Sequence, residues 1–143
     1  MTASREAFLA STAPSRLQDD RRCFACGPDN ELGLRLHFEY GENSARCRVT
    51  IPAHMSGWTG MLHGGIVAVL LDEVMAHASI AAGVRAVTAK LEIRFRKPAP
   101  TGAPLVAEGT VQRRRGKVFD GEAILSDGAG TIFAEGRSRF VAV

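Results

Sequence analysis

Cysteine is scarce in this sequence: three residues in 143, an odd number. With no export signal beside them, they exclude a disulfide framework and fit a reducing compartment, so a cytoplasmic setting is expected. Nor does any stretch near the N-terminus read as a secretory leader. The apolar run Ala7-Phe8-Leu9-Ala10 is too short for one, with only Arg5 as a basic residue before it. Charge of one sign is also lacking, since 18 Lys and Arg face 15 Asp and Glu, a net charge of +3. A nucleic-acid binder concentrates its basic excess on one face or helix. Here the bases are scattered, apart from Arg94, Arg96 and Lys97 and the run Arg113-Arg114-Arg115-Gly116-Lys117. No nucleic-acid partner is expected, whereas an anionic small ligand suits the mild positive balance. The one long apolar segment, Gly64 to Gly83, carries Asp72, Glu73 and His77, which argues against a membrane span. No internal repeat, linker or second domain is visible, and the length fits one domain with its own core.

What remains is an ordered pattern. Residues 1–22 read as a flexible, polar leader, and residues 23–143 as the domain. Leu34, Leu36 and Phe38 alternate with Arg35, His37 and Glu39, the period of a strand with one buried face. Gly41 to Ser44 is a turn, and a second strand runs from about Ala45 to Ile51, giving a hairpin. Ala53 to His63 has no period and reads as a loop. The helix that follows starts near Gly64, stops at Gly83 and shows no broad polar face. A helix apolar all round is a buried one, and in so small a domain a sheet wrapped around it is the simplest cover. Val87, Ala89, Leu91, Ile93 and Phe95 alternate with Thr88, Lys90, Glu92 and Arg94. Three more strands are expected over Pro104–Gln112, Lys117–Ser126 and Thr131–Ala142. The order β-β-α-β-β-β-β implies an α+β domain, one long buried helix against an antiparallel sheet of about six strands.

The residues that bear chemistry gather at the helix. His63-Gly64-Gly65 opens it, where unpaired N–H groups and the positive end of the dipole meet. Such donors can stabilise the negative oxygen that forms when a thioester carbonyl is attacked. A plain helix cap is the alternative, and the spacing does not choose between the Gly64 and Gly65 N–H groups. Asp72 is a carboxylate inside an apolar helix, costly to bury unless paired or used. It can act as general base on water or as nucleophile; a salt bridge to a strand Arg is the bland alternative. Glu73 lies about 100° round the helix from Asp72, and with His77 four residues on it reads as a helix-face pair. Cys23 and Cys26 form one Cys-x-x-Cys knuckle. Cys47, His37, His54 and His63 offer no second one, so no metal centre is expected and the stretch reads as a turn that packs the leader onto the domain. Arg114, Arg115 and Lys117 read as a solvated hairpin turn or as a hold on phosphates.

The run His63-Gly64-Gly65-Ile66-Val67-Ala68-Val69-Leu70-Leu71-Asp72 resembles the signature of the hotdog-fold acyl-CoA thioesterases, in particular the phenylacetate-pathway branch. Lys90 to Pro98 with Gly102, and Cys23-Phe24-Ala25-Cys26-Gly27-Pro28-Asp29-Asn30 with Gly33-Leu34, are similar to further parts of that family. The resemblance spans residues 23–142. It implies a sheet curled around the helix, a homodimer with sites at the subunit interface and often a dimer of dimers. It implies an acyl-CoA substrate and no cofactor, coenzyme A being part of the substrate. By position Asp72 matches the catalytic acid, Gly64 the carbonyl-polarising glycine, His63 the signature histidine and Thr88 a Ser/Thr near the attacking water. Asp72 and Thr88 could then come from different subunits. Gly65, Trp58, Met61, Arg114, Arg115 and Lys117 are expected to bind substrate, with Trp58 and Met61 shaping the acyl pocket and the basic residues offering a hold on the phosphates of coenzyme A. One departure stands out: Gly57 occupies a position, six before His63, where many relatives carry Asn or Gln. That departure keeps open a non-catalytic acyl-CoA or acyl-chain binding module. A hotdog dehydratase fits poorly, because Asp29-Asn30-Glu31 does not continue as Asp-x-Asn-Pro-x-x-His.

Overall fold

The computed structural model describes residues 17–143, so most of the expected leader, residues 1–16, lies outside the described residues. Six strands form one antiparallel sheet: β1 Glu39–Gly41, β2 Ser44–Thr50, β3 Ala86–Phe95, β4 Pro104–Arg115, β5 Val118–Ser126 and β6 Ile132–Ala142. They are ordered β1-β2-β4-β5-β6-β3. Among the described residues a single α-helix, α1, spans Gly64–Ala81, and a short 3-10 turn covers Ala53–Met55. This is the hotdog architecture that the resemblance implies.

The helix has a built start and a built stop. His63, in an extended conformation (φ −58°, ψ 134°), caps it by accepting the Gly65 N–H on its side chain. At the other end Gly83 takes φ 82°, which glycine adopts without Cβ strain. Gly83 N–H bonds Ile80 O and Val84 N–H bonds Ser79 O, both at 2.9 Å, the paired bonds of a Schellman stop. The sheet meets the helix through small residues. A Cβ on Gly109 of β4 would lie 3.0 Å from the Val74 carbonyl oxygen, so the central strands can approach the helix backbone closely. Leu70, Leu71, Val74, Met75, Leu105, Leu125 and Phe140 fill the interface with almost no exposure.

The expected buried helix is present, with burial deepest on one side: His77 and Ser79 are buried as well, and the far flank is covered in part. The sheet covers the flank holding Val67, Leu70, Leu71, Val74, Met75 and Ala78. Ile66, Val69 and Ala76 remain half-buried. One curled sheet wraps only one side of a cylinder, whatever the composition of the other side. By length and mean hydropathy (1.5) this helix could cross a membrane, but its packing on the sheet is that of a core helix.

Three expectations change. Residues 34–38 are not a strand: the Leu34 and Leu36 N–H groups bond Phe24 O and Ala25 O, each at 2.9 Å, and Arg35 sits at φ 50°. The alternation was real, with Leu36 buried and Arg35 and His37 exposed, but its partner is the Cys23–Cys26 turn rather than a sheet strand. The arginines at 113–115 belong to β4 rather than to the turn, which is only Gly116-Lys117. Finally, β3 carries a bulge. Thr88 pairs with Phe140 and Lys90 with Arg139, leaving Ala89 as the extra residue.

Candidate active site

The bulge in β3 decides where Thr88 points. Regular alternation would set Thr88 with Lys90, Glu92 and Arg94 on the outer face. One extra residue at position 89 shifts the phase, so Thr88 joins Leu91 and Ile93, whose partners Ser138 and Gly136 line the helix side. Thr88 Oγ1 then donates to Asp72 Oδ1 at 2.8 Å, within one chain. The separate-subunit placement allowed for this pair is therefore not needed. Asp72 is half-buried. That burial pushes its carboxyl above the usual aspartate range, the Thr88 hydrogen bond opposes the rise, and repulsion from Glu73 adds to it. No strand arginine pairs with Asp72 among the described residues.

At the helix start, His63 Nδ1 accepts the Gly65 N–H at 2.8 Å. The ring is thereby set with its proton on Nε2, and the Gly65 N–H is engaged. The Ile66 and Val67 N–H groups both reach His63 O, at 2.9 and 3.1 Å. Among the described residues the Gly64 N–H has no acceptor, so it is the donor left to a ligand. Gly57 lies beside this cap, since a Cβ there would be 3.5 Å from His63 Cα and 3.6 Å from His63 Cδ2. An amide at that position would touch the histidine, and the glycine leaves that space open.

The remaining residues fall into two groups. Trp58 (79% exposed) and half-buried Met61 stand on the small loop before His63. That loop is pinned by Leu62 N–H to Ala99 O at 2.8 Å and by a Met61–Pro100 bridge. Arg114, Arg115 and Lys117 are exposed at the β4–β5 hairpin, with Arg114 held by Asp120 at 3.2 Å. In the sheet, Arg113 shares a row with Phe119, Phe140 and Thr88, so the hairpin belongs to the Asp72–Thr88 end of the fold.

Phe95 is a site residue that the sequence did not single out. Its ring atoms Cε1 and Cζ sit 3.6 Å from where a side chain on Gly64 would begin, and it is 56% exposed. Alternation assigned it to a buried face; only its place at the strand exit, three residues before Pro98, hinted at another role. The helix-face pair of Glu73 and His77 is present as expected, at 3.4 Å.

Comparison with known proteins supplies the family context. The model of the thioesterase superfamily matches residues 59–134, a stretch that holds His63, Gly64, Asp72 and Thr88. Acyl-coenzyme A thioesterase THEM4 of Mus musculus is 33% identical over 89 residues, covering 62% of this chain and 38% of that protein. Its Rattus norvegicus counterpart is 27% identical over 116 residues, covering 78% and 50%. The chain thus spans half or less of the length of these curated relatives. A solved thioesterase superfamily protein superposes with a TM-score of 0.78 at 26% identity, covering 95% of this chain and 72% of that one. The PaaI protein of the E. coli phenylacetic acid degradation operon gives 0.70 at 22% identity, covering 76% and 79%. At that identity the likeness is one of fold.

Proposed function

The chain belongs to the thioesterase superfamily, and on that footing we propose that it hydrolyses a small or medium acyl-CoA, aryl-acyl thioesters included, to the free acid and coenzyme A. The observation that carries this reading is Asp72, a half-buried carboxylate held at 2.8 Å by Thr88 on the helix side of an edge strand. In the proposed reaction Asp72 either takes a proton from the attacking water or attacks the thioester carbon itself, forming an anhydride that water then opens. The carbon–sulfur bond breaks and coenzyme A leaves as its thiolate, which then gains a proton. The Gly64 N–H polarises the carbonyl, His63 keeps the first turn in place through Gly65, and Thr88 orients the carboxylate. Trp58 and Met61 flank the acyl group. Arg115 and Lys117, with Arg114 tied to Asp120, offer cations to the phosphates of coenzyme A. No separate cofactor enters this scheme, and the setting is cytoplasmic.

Gly64 and Asp72 are eight residues apart on α1, about 12 Å along its axis, and the first N–H groups of a helix point away from it. One chain therefore cannot present both to a single carbonyl. A homodimer resolves this, with Gly64 of one copy facing Asp72 of the other, and a dimer of dimers as the larger assembly. Strand β3 is suited to that contact. It is the edge of the sheet, and Val87, Leu91 and Phe95 on it are 44%, 37% and 56% exposed.

The test is a panel of acyl-CoA thioesters read with a thiol-trapping reagent. Wild type is expected to release coenzyme A, and Asp72→Asn to lower kcat by about 10²–10⁴ while still binding substrate. Equal release by the two proteins sinks the role given to Asp72. Binding without release by either would favour the acyl-CoA binding module, the reading that Gly57 supports by leaving no amide beside His63.

A further inference from the structure

Outside that site, one cluster of side chains among the described residues has metal-ligand chemistry. The Sγ atoms of Cys23 and Cys26 and a carboxylate oxygen of Glu73 all lie within 4.8 Å of one another, partly buried. Cys23 Sγ is 3.8 Å from Glu73 Oε1. The thiols come from one turn and the carboxylate from the middle of α1. Two thiols beside one carboxylate make a soft-donor set that suits a thiophilic cation.

The turn is built for its shape. Gly27 N–H bonds Cys23 O at 2.8 Å, and the two residues between the cysteines accept from Leu34 and Leu36. A Cβ on Gly27 would collide with the backbone nitrogen of Cys23, so only glycine closes the knuckle after Cys26. The carboxylate is oriented too. His77 Nε2 lies 3.4 Å from Glu73 Oε2, His77 Nδ1 is 2.7 Å from the Tyr40 hydroxyl, and Phe38 stacks on the imidazole at 3.7 Å. The imidazole, held by Tyr40 and Phe38, thus stands at ion-pair distance beside the carboxylate rather than in a hydrogen bond to it, the place of an outer-shell neighbour to a metal-ligating acid.

We propose that Cys23, Cys26 and Glu73 hold a thiophilic divalent cation of the zinc class, which staples the N-terminal knuckle to the centre of α1. Zinc–sulfur bonds of about 2.3 Å and zinc–oxygen bonds of about 2.0–2.2 Å place tetrahedral ligands about 3.5–3.8 Å apart. Small side-chain rotations close the observed cluster to that size. Binding releases one proton from each thiol. The ion with two thiolates and one carboxylate carries one net negative charge, and water takes the fourth position. The expectation of no metal rested on finding a second knuckle or a histidine as partner. The third donor is instead an acid on a helix, brought in by the fold. The site lies on the Glu73 side of α1, about 100° from Asp72, and does not depend on the thioesterase reading.

The test uses the full chain, freed of any histidine tag, stripped with chelator and kept reduced without oxygen. Titration with zinc and cobalt(II) is expected to give about one ion per chain, a sulfur-to-cobalt charge-transfer band and a higher Tm that chelator reverses. Cys23→Ser with Cys26→Ser should abolish the band and the uptake, while Glu73→Gln keeps the band with at least tenfold weaker affinity. Cys47→Ala, in the core, should change neither. The proposal is overturned if the reduced wild type takes up no ion at micromolar concentrations, or if uptake survives loss of both thiols. A wild type that forms a Cys23–Cys26 disulfide and ignores metal when reduced overturns it equally. The wild-type measurements decide on their own, even if a variant fails to fold.

Discussion

Gly64 and Gly65 are neighbours with different work to do, and the difference rests on one side chain. His63 occupies the Gly65 N–H, so the adjacent donor is the one that can meet a carbonyl oxygen. Proline separates the roles, because it is tolerated at the first helical position and lacks the N–H in question. The extended conformation of His63 is also what a residue before proline prefers. Gly64→Pro is expected to keep the far-ultraviolet circular dichroism and nearly the same Tm, and to lose about 10²–10³ in kcat; an unchanged kcat would remove Gly64 from the mechanism. Asp72 is the second residue-scale case. In the proposed reaction it works as the carboxylate, and burial holds its pKa above the ordinary value. The rate should therefore rise with pH through an acid limb lying above that of an exposed aspartate. Thr88→Val removes the bond that holds the pKa down and should move the limb in kcat/KM to higher pH. A limb that stays put or moves to lower pH contradicts the assigned contact. Asp72 was conspicuous as an acid within an apolar helix. The choice between Gly64 and Gly65 was not, because it depends on a rotamer of His63.

Elements show where periodicity informs and where it stops. Helix α1 was legible from end to end, since its composition, its opening glycines and the glycine at its stop are all local signals. The stop also makes a measurable contribution. Gly83→Ala puts a Cβ into the left-handed region at φ 82°, at a cost of about 1–2 kcal/mol. Thermal melting should show a Tm lower by about 3–6 °C with activity retained; no change would mean that the Schellman bonds contribute little. Strand β3 was legible as a strand but not in its phase. A single extra residue at Ala89 turns Thr88 towards the helix, and nothing in Val87-Thr88-Ala89-Lys90 announces a bulge. The segment at 34–38 had the period of a strand and the burial to match, yet its hydrogen bonds go to the Cys23–Cys26 turn. Alternation reports which side chains are covered; it does not report what covers them.

At the scale of the whole molecule, the proposed reaction calls for two chains. The helix holds its donor and its acid about 12 Å apart, and the sheet ends in an edge strand with exposed Val87, Leu91 and Phe95. If the donor of one copy meets the acid of another, two inactive variants should repair each other. Gly64→Pro and Asp72→Asn chains, unfolded together and refolded as a mixture, should regain about a quarter of wild-type activity. Half of the random dimers are mixed, and each mixed dimer holds one intact site of two. A mixture as inactive as its components would place both groups in the same chain or remove one from the reaction. Composition, the helix and the run from His63 to Asp72 determined the α+β class, the wrapped helix and the acid at its centre. Those signals are local, carried by period, cap and stop, and sequence order preserves them. The face of Thr88 and the approach of Glu73 to two cysteines were decided only by the tertiary structure. Each depends on how strands register or how distant segments pack, and residues forty or more positions apart carry no local mark of meeting.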